Sequence, residues 1–234
     1  MKAPLQAHMT SIPANLQAVV ERIMRACAAA GRAPESVALL AVSKTWPVAD
    51  IRAAASAGQR QFGESYLQEA LPKIGALPDL EWHFIGPLQG NKTRPVAEHF
   101  AWVHSVDRLK IAQRLSEQRP PGLAPLQVCL QVNVSGEASK SGCPPDEVVA
   151  LAQAVAPLPR LGLRGLMAIP APTTDLELQR RVFARLRQLQ EAINQLPGMH
   201  LDTLSMGMSD DMEAAIMEGA TLVRVGTAIF GRRH

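Results

Sequence analysis

The sequence has few cysteines, few aromatics and no long apolar run. Its three cysteines, Cys27, Cys129 and Cys143, are an odd number without C-x-x-C spacing. That excludes a disulfide framework and reads as reduced thiols in a cytoplasmic protein. Aromatics make up 4% of the residues, and 24 Lys+Arg against 21 Asp+Glu leave a net charge of only +3. Neither a stacking platform nor an electrostatic face for nucleic acid is expected. The longest apolar stretch, Val37 to Val42, is far too short to span a bilayer, so no membrane partner is expected. The first eight residues lack the apolar segment of a signal peptide. No histidine pair has metal-ligand spacing and there is no Cys/His cluster, which excludes the common zinc patterns. A Gly-x-Ser-x-Gly elbow is missing too. Gly226 and Gly231 have the spacing that opens a P-loop, but Arg232 and Arg233 follow where Lys and Ser/Thr are required.

What is present is an ordinary globular composition. The chain has 234 residues, 47% hydrophobic and 19% charged, enough to bury a sizeable core. No linker, repeat or charge block divides it, so residues 1–234 are expected to form one domain. An amphipathic helix over Asn15–Ala30 is followed by a regular alternation. Eight strand candidates lie at Val37–Ser43, Arg60–Gly63, Trp82–Ile85, Ala101–Ser105, Leu126–Val134, Leu161–Ile169, Leu201–Leu204 and Thr221–Val225. Between them are helical patterns at Val48–Ala57, Ser65–Lys73, Lys92–Glu98, Arg108–Glu117, Pro145–Val155, Asp175–Leu196 and Ser209–Glu218. The N-terminal helix is available as an eighth. Such alternation implies parallel strands joined by right-handed crossovers, and the count favours a closed (β/α)₈ TIM-type barrel over an open doubly wound sheet. In such a barrel Asn133, on the mixed face of the fifth strand, lies near the C-terminal mouth, where barrel sites form.

Lys44 is the first candidate for chemistry. The chain has 18 arginines and only six lysines, yet a lysine ends the apolar run Val37–Ser43. Alternation places it on the face of Val42, Leu40 and Ala38. An amine at the mouth of an apolar lumen has a depressed pKa and is poised as a nucleophile toward carbonyls; a strand-end lysine snorkelling to water is the plain alternative. Toward the C-terminus, Val223-Arg224-Val225-Gly226-Thr227 reads as the last strand running into a donor-rich turn. Leu204-Ser205-Met206-Gly207-Met208-Ser209 reads likewise for the seventh. These are the loops where barrels most often hold phosphate; as plain structure they are turn glycines, with Ser209 capping a helix. Arg224 alternates with Leu222 and Gly226, so it needs an acceptor, either a carboxylate or a ligand atom. His83 either lines a site or is a satisfied core histidine. Arg180, Arg181, Arg185 and Arg187 form a solvated helix face, with Glu177 and Arg181 paired at i+4.

Taken in order, these segments resemble a family. Ala41-Val42-Ser43-Lys44-Thr45, Phe62-Gly63-Glu64, His83-Phe84-Ile85-Gly86-Pro87-Leu88-Gln89 with Asn91-Lys92, Ser105-Val106-Asp107, Gln131-Val132-Asn133, Gly165-Leu166-Met167, Leu204 to Ser209 and Val223 to Gly231 are similar to the pyridoxal phosphate homeostasis proteins (YggS/PROSC-like). The resemblance covers nearly the whole chain. It implies the fold of the alanine racemase N-terminal barrel and pyridoxal 5′-phosphate (PLP) as cofactor, held as a Schiff base on Lys44. It also implies Ser205 and the Gly226–Thr227 turn at the phosphate, Arg224 at the pyridine nitrogen, and His83 and Met206 flanking the ring. An arginine at that nitrogen cannot keep it protonated, so the ring is a poor electron sink. The implied role is buffering or delivering PLP in the cytoplasm as a monomer, with PLP-requiring apo-enzymes as partners and no catalytic residue. A PLP-dependent racemase or lyase is the alternative, and an interaction module with an incidental ligand the third. Against a racemase, 234 residues leave no room for a second domain, and the single tyrosine, Tyr66, is poorly placed as an opposing base. Two departures from the family bear on affinity: Ser65 follows Glu64, and Trp46 stands where small or basic residues are usual. Lys140, in the loop after the fifth strand, is either a solvated lysine or a secondary acceptor during PLP transfer.

Overall fold

The computed structural model describes residues 11–136 and 141–232. Lys140 therefore lies outside the described residues, as do the first ten. Eight parallel strands close into a barrel in sequence order: β1 (Ala38–Val42), β2 (Gln61–Glu64), β3 (Glu81–Phe84), β4 (Trp102–Val106), β5 (Leu126–Gln131), β6 (Leu161–Met167), β7 (Thr203–Ser205) and β8 (Leu222–Val225). Helices α2 (Val48–Ser56), α3 (Leu67–Ala76), α4 (Thr93–His99), α5 (Leu109–Gln118), α6 (Val148–Val155), α7 (Leu176–Asn194) and α8 (Met212–Met217) alternate with them. The closed barrel, rather than the open sheet, is thus the observed architecture.

Period 2 along each strand separates two buried populations. Ala41, Phe62, Trp82, Phe84, Val103, Val128, Leu130, Leu166, Leu204, Val223 and Val225 join the core shared with the helices. Their neighbours point into the lumen, where register aligns Val42 with Gly63, Gly63 with His83, Met167 with Ser205, and Leu40 with Arg224. A Cβ on Gly63 would come to 3.1 Å from both Leu40 and Ile85, so the lumen is packed there to the last methyl.

The outer ring is closed twice over after β8. A short helix, α9 (Thr227–Phe230), follows the strand directly, and the N-terminal helix α1 (Ile12–Ala29) packs against α2, α8 and α9. Ser11 caps α1, accepting from the Ala14 N–H at 3.4 Å, and the Asn15 amide donates to the Ile229 carbonyl at 2.9 Å. Strand ends are where pattern and structure part. β5 stops at Gln131 rather than Val134, because Cys143 returns to pair with Val132 and its N–H bonds the Gln131 carbonyl. β7 starts two residues late, since Leu201 bonds the Asn194 side chain through both its carbonyl and its N–H. Among the described residues, the α7 arginines pair as Arg180–Glu218 (2.8 Å), Arg187–Glu191 (2.8 Å) and Arg187–Glu218 (3.4 Å), not as Glu177–Arg181. Helix α8 is capped at Asp211 rather than Ser209; the Asp211 carboxylate accepts from the Met208 N–H at 2.6 Å.

Candidate functional site

A cavity of about 740 Å³ opens at the C-terminal mouth of the barrel, where the strand-to-helix loops converge. Among its lining residues are Lys44, Trp46, Met208, Ser209, Arg224, Gly226 and Thr227. Four residues singled out from sequence are thereby brought together: Lys44, Arg224, Gly226 and Thr227. Three are not. His83, Ser205 and Met206 are completely buried and do not line it. His83 lies on β3 two residues after Glu81, with its ring bonded to His104 and Glu81 and stacked on Trp102. Ser205 is the last residue of β7 and its hydroxyl is engaged from two sides, while Met206 is packed in the outer core. From the loop that follows β7, Met208 and Ser209 are the residues that line the cavity.

Lys44 lies two residues past β1, half-buried, in a turn whose next residue, Thr45, has φ 69°. A β-branched residue in the left-handed region needs outside support. The support comes from α3: the Glu69 carboxylate accepts from the Thr45 N–H at 2.9 Å. On the other side of Lys44 a buried cluster holds Ser43. The Glu64 carboxylate accepts from the Ser43 hydroxyl at 2.7 Å and from the Lys73 ammonium at 2.8 Å, and that ammonium also donates to the Ser43 carbonyl at 2.9 Å. Glu64 is fully buried, and burial pushes its carboxyl above the usual range even though Lys73 and Ser43 pull it down. Both residues flanking Lys44 are thus clamped to the β2–α3 unit. The sequence reading did not single out Lys73. Its signal is a lysine among Ala70, Ile74 and Leu77 on the apolar side of α3, nine residues from Glu64.

Arg224 rises from β8 beside Leu40. Its guanidinium donates to the Ser205 carbonyl (2.5 Å), the Ser205 hydroxyl (2.7 Å) and the Ala168 carbonyl (2.8 Å). The expected acceptors are therefore protein oxygens rather than a carboxylate in direct contact. Burial lowers its pKa to about 10, with Asp211 opposing, so it remains a cation at neutral pH. Among the described residues, three of its five N–H groups have an acceptor, and two remain on a residue that lines the cavity. At the neighbouring turn a Cβ on Gly226 would approach the Val42 carbonyl to 3.1 Å, so the backbone runs close to β1. The opening N–H groups of α9 have no carbonyl one turn earlier to bond. Across the rim, Trp46 stacks on Phe230 with ring centroids 5.8 Å apart, and Ser65 also lines the cavity. Tyr66 is exposed and does not line it.

Residues 14–234 match the family model of the alanine racemase N-terminal domain. The chain is 66% identical over 227 residues to the pyridoxal phosphate homeostasis protein of Pseudomonas aeruginosa, covering 96% of this chain and 97% of that one. Among solved structures it is similar to PipY of Synechococcus elongatus with PLP bound, at TM-score 0.78 and 40% identity over 89% of this chain and 100% of that one. It also shares the fold of alanine racemase from Corynebacterium glutamicum, at TM-score 0.72 and 17% identity, over 93% of this chain and 62% of that one.

Proposed function

The chain belongs to the alanine racemase N-terminal domain family and, within it, to the pyridoxal phosphate homeostasis proteins, and from that premise we propose that it holds PLP in the barrel-mouth cavity and buffers or delivers it. The observation that carries this reading is the cavity's donor set: one lysine amine, one buried guanidinium with two N–H groups to spare among the described residues, and a Gly-Thr and a Met-Ser turn in its lining. This set fits a group with an aldehyde, a ring-nitrogen acceptor and a phosphate. Bound there, PLP supplies an aldehyde that condenses with a primary amine and releases water.

Each residue then has a task that its position supports. Lys44 is the amine, held in place by its clamped neighbours Ser43 and Thr45. Arg224 offers a hydrogen bond to the ring nitrogen without giving it a proton, which leaves the ring a weak electron sink. Gly226, Thr227 and Ser209 serve the phosphate, Ser209 in place of Ser205. Trp46, steadied by Phe230, walls one side. No dedicated turnover is assigned: a racemase needs an acid/base on each face of its substrate, and Tyr66 stands outside the cavity. PLP-requiring apo-enzymes in the cytoplasm are the proposed recipients, and a monomer of one domain the proposed working form.

The phosphate assignment is tested by titrating Thr227→Ala/Ser209→Ala with PLP and with pyridoxal. PLP binding is expected to weaken by about 1.5–3 kcal/mol for each donor lost to a charged group. Pyridoxal, which lacks the phosphate, is expected to bind unchanged. Equal weakening of both would put the phosphate elsewhere.

A further inference from the structure

Below the cavity, a chain of hydrogen bonds runs down the lumen from Arg224 to the opposite mouth. Arg224 donates to the Ser205 hydroxyl at 2.7 Å. Ser205 Oγ lies 2.8 Å from His104 Nδ1, His104 Nε2 lies 2.9 Å from His83 Nδ1, and His83 Nε2 lies 2.9 Å from Glu81 Oε1. Ser205, His104 and His83 are buried, whereas the Glu81 side chain is 41% exposed. His83 is further fixed by stacking on Trp102, centroids 5.4 Å apart and planes 5° from parallel.

The direction of this chain follows from its ends. Burial keeps both imidazoles below their usual pKa, and the His83 contact holds Glu81 below the usual carboxylate range. Two neutral rings and a carboxylate admit one arrangement. Glu81 accepts, so His83 carries its proton on Nε2 and accepts at Nδ1. His104 must then donate from Nε2 and accept at Nδ1, which requires the Ser205 hydroxyl to donate. With its proton spent on His104, Ser205 can only accept from Arg224. The reverse direction would place a bare His83 Nε2 against the Glu81 carboxylate.

We propose that Glu81, His83, His104 and Ser205 are positioning residues that lock Arg224 as a hydrogen-bond donor to the ligand. Two of its N–H groups are anchored on Ser205 and a third on Ala168, so the guanidinium plane cannot turn and the remaining donors keep one direction. The chain selects a ligand with an acceptor at that point. The inference rests on the PLP reading above, in which this acceptor is the pyridine nitrogen. None of the four residues lines the cavity, and none is assigned a catalytic step.

Two measurements test it. In ¹⁵N-histidine-labelled protein at neutral pH, both rings are expected to be neutral with the proton on Nε2. A proton on Nδ1 of either ring would overturn the proposal, whatever the ligand. Separately, PLP and its 1-deaza analogue, which has a C–H in place of the ring nitrogen, are titrated into His104→Leu and Glu81→Leu. His104→Leu is expected to lose about tenfold in PLP affinity, the order of one charge-assisted hydrogen bond, and nothing for the analogue. Glu81→Leu alters a half-exposed end, where the carboxylate also accepts from the Gln61 amide at 2.8 Å, and guards against failure of His104→Leu to fold; it is expected to show a mixed His83 tautomer and a reduced preference for PLP. Equal loss for both ligands in the folded variants would refute the positioning role. If Arg224→Leu also leaves the preference for PLP untouched, the ring-nitrogen reading fails instead, and the tautomers still decide the chain.

Discussion

Lys73→Met removes the cation from the buried cluster that clamps the Lys44 turn. Lys73 and Glu64 are 2.8 Å apart, with side chains 8% and 0% exposed, so screening by water is slight. Removing one partner of such a pair leaves an uncompensated buried charge and costs about 3–5 kcal/mol. For a domain of this size that corresponds to a fall of roughly 6–20 °C in Tm. The sign of the pH dependence follows from Glu64. Its folded pKa is already raised by burial, and loss of Lys73 raises it further. The folded variant then binds a proton more tightly than the unfolded chain, so stability falls as pH rises from the usual carboxylate range through the folded pKa. Thermal and urea unfolding at pH 5 and pH 8 are the assay, with the larger deficit expected at pH 8. Lys73→Met/Glu64→Gln, which restores neutrality, is expected to be more stable than Lys73→Met alone. A deficit below about 1 kcal/mol at pH 8, the range of an exposed pair, would refute the reasoning.

Cys129 and Cys143 are buried with pKa values pushed up to about 12, and burial also raises Cys27. A thiol reagent at pH 8 is therefore expected to modify none of the three quickly until denaturant is added, and a fast-reacting thiol in the native protein would contradict their placement. Tyr66→Phe is expected to leave α-hydrogen exchange of alanine in the presence of PLP unchanged; rapid, stereochemically scrambling exchange that this substitution abolishes would support a racemase.

The barrel was legible because its signal repeats: eight apolar runs of similar length separated by helical patterns leave few other solutions. Strand limits were less so. Val132 and Val134 continue the alternation of β5, but a backbone partner arriving from Cys143 ends the ladder, and no local pattern reports that. Lys44 and Arg224 stood out as charged residues in apolar strands, and both line the mouth. His83 and Ser205 were equally polar in equally apolar strands. They sit deeper, and depth in a lumen depends on stagger between strands, which sequence spacing does not encode. Recognition by family motif marked Glu64 but missed Lys73 and His104, because each acts through a partner on another element: Glu64 nine residues away for Lys73, and for His104 His83 on the neighbouring strand and Ser205 across the lumen.

The central claim is that Lys44 is the lysine that takes the aldehyde of PLP. Borohydride reduction of the PLP-loaded protein, followed by peptide mapping, tests it directly. The expected result is one pyridoxyl group on the peptide containing Lys44, lost in Lys44→Ala with the fold retained. Full labelling of another lysine in Lys44→Ala, or no label at Lys44 in the unaltered protein, would contradict it.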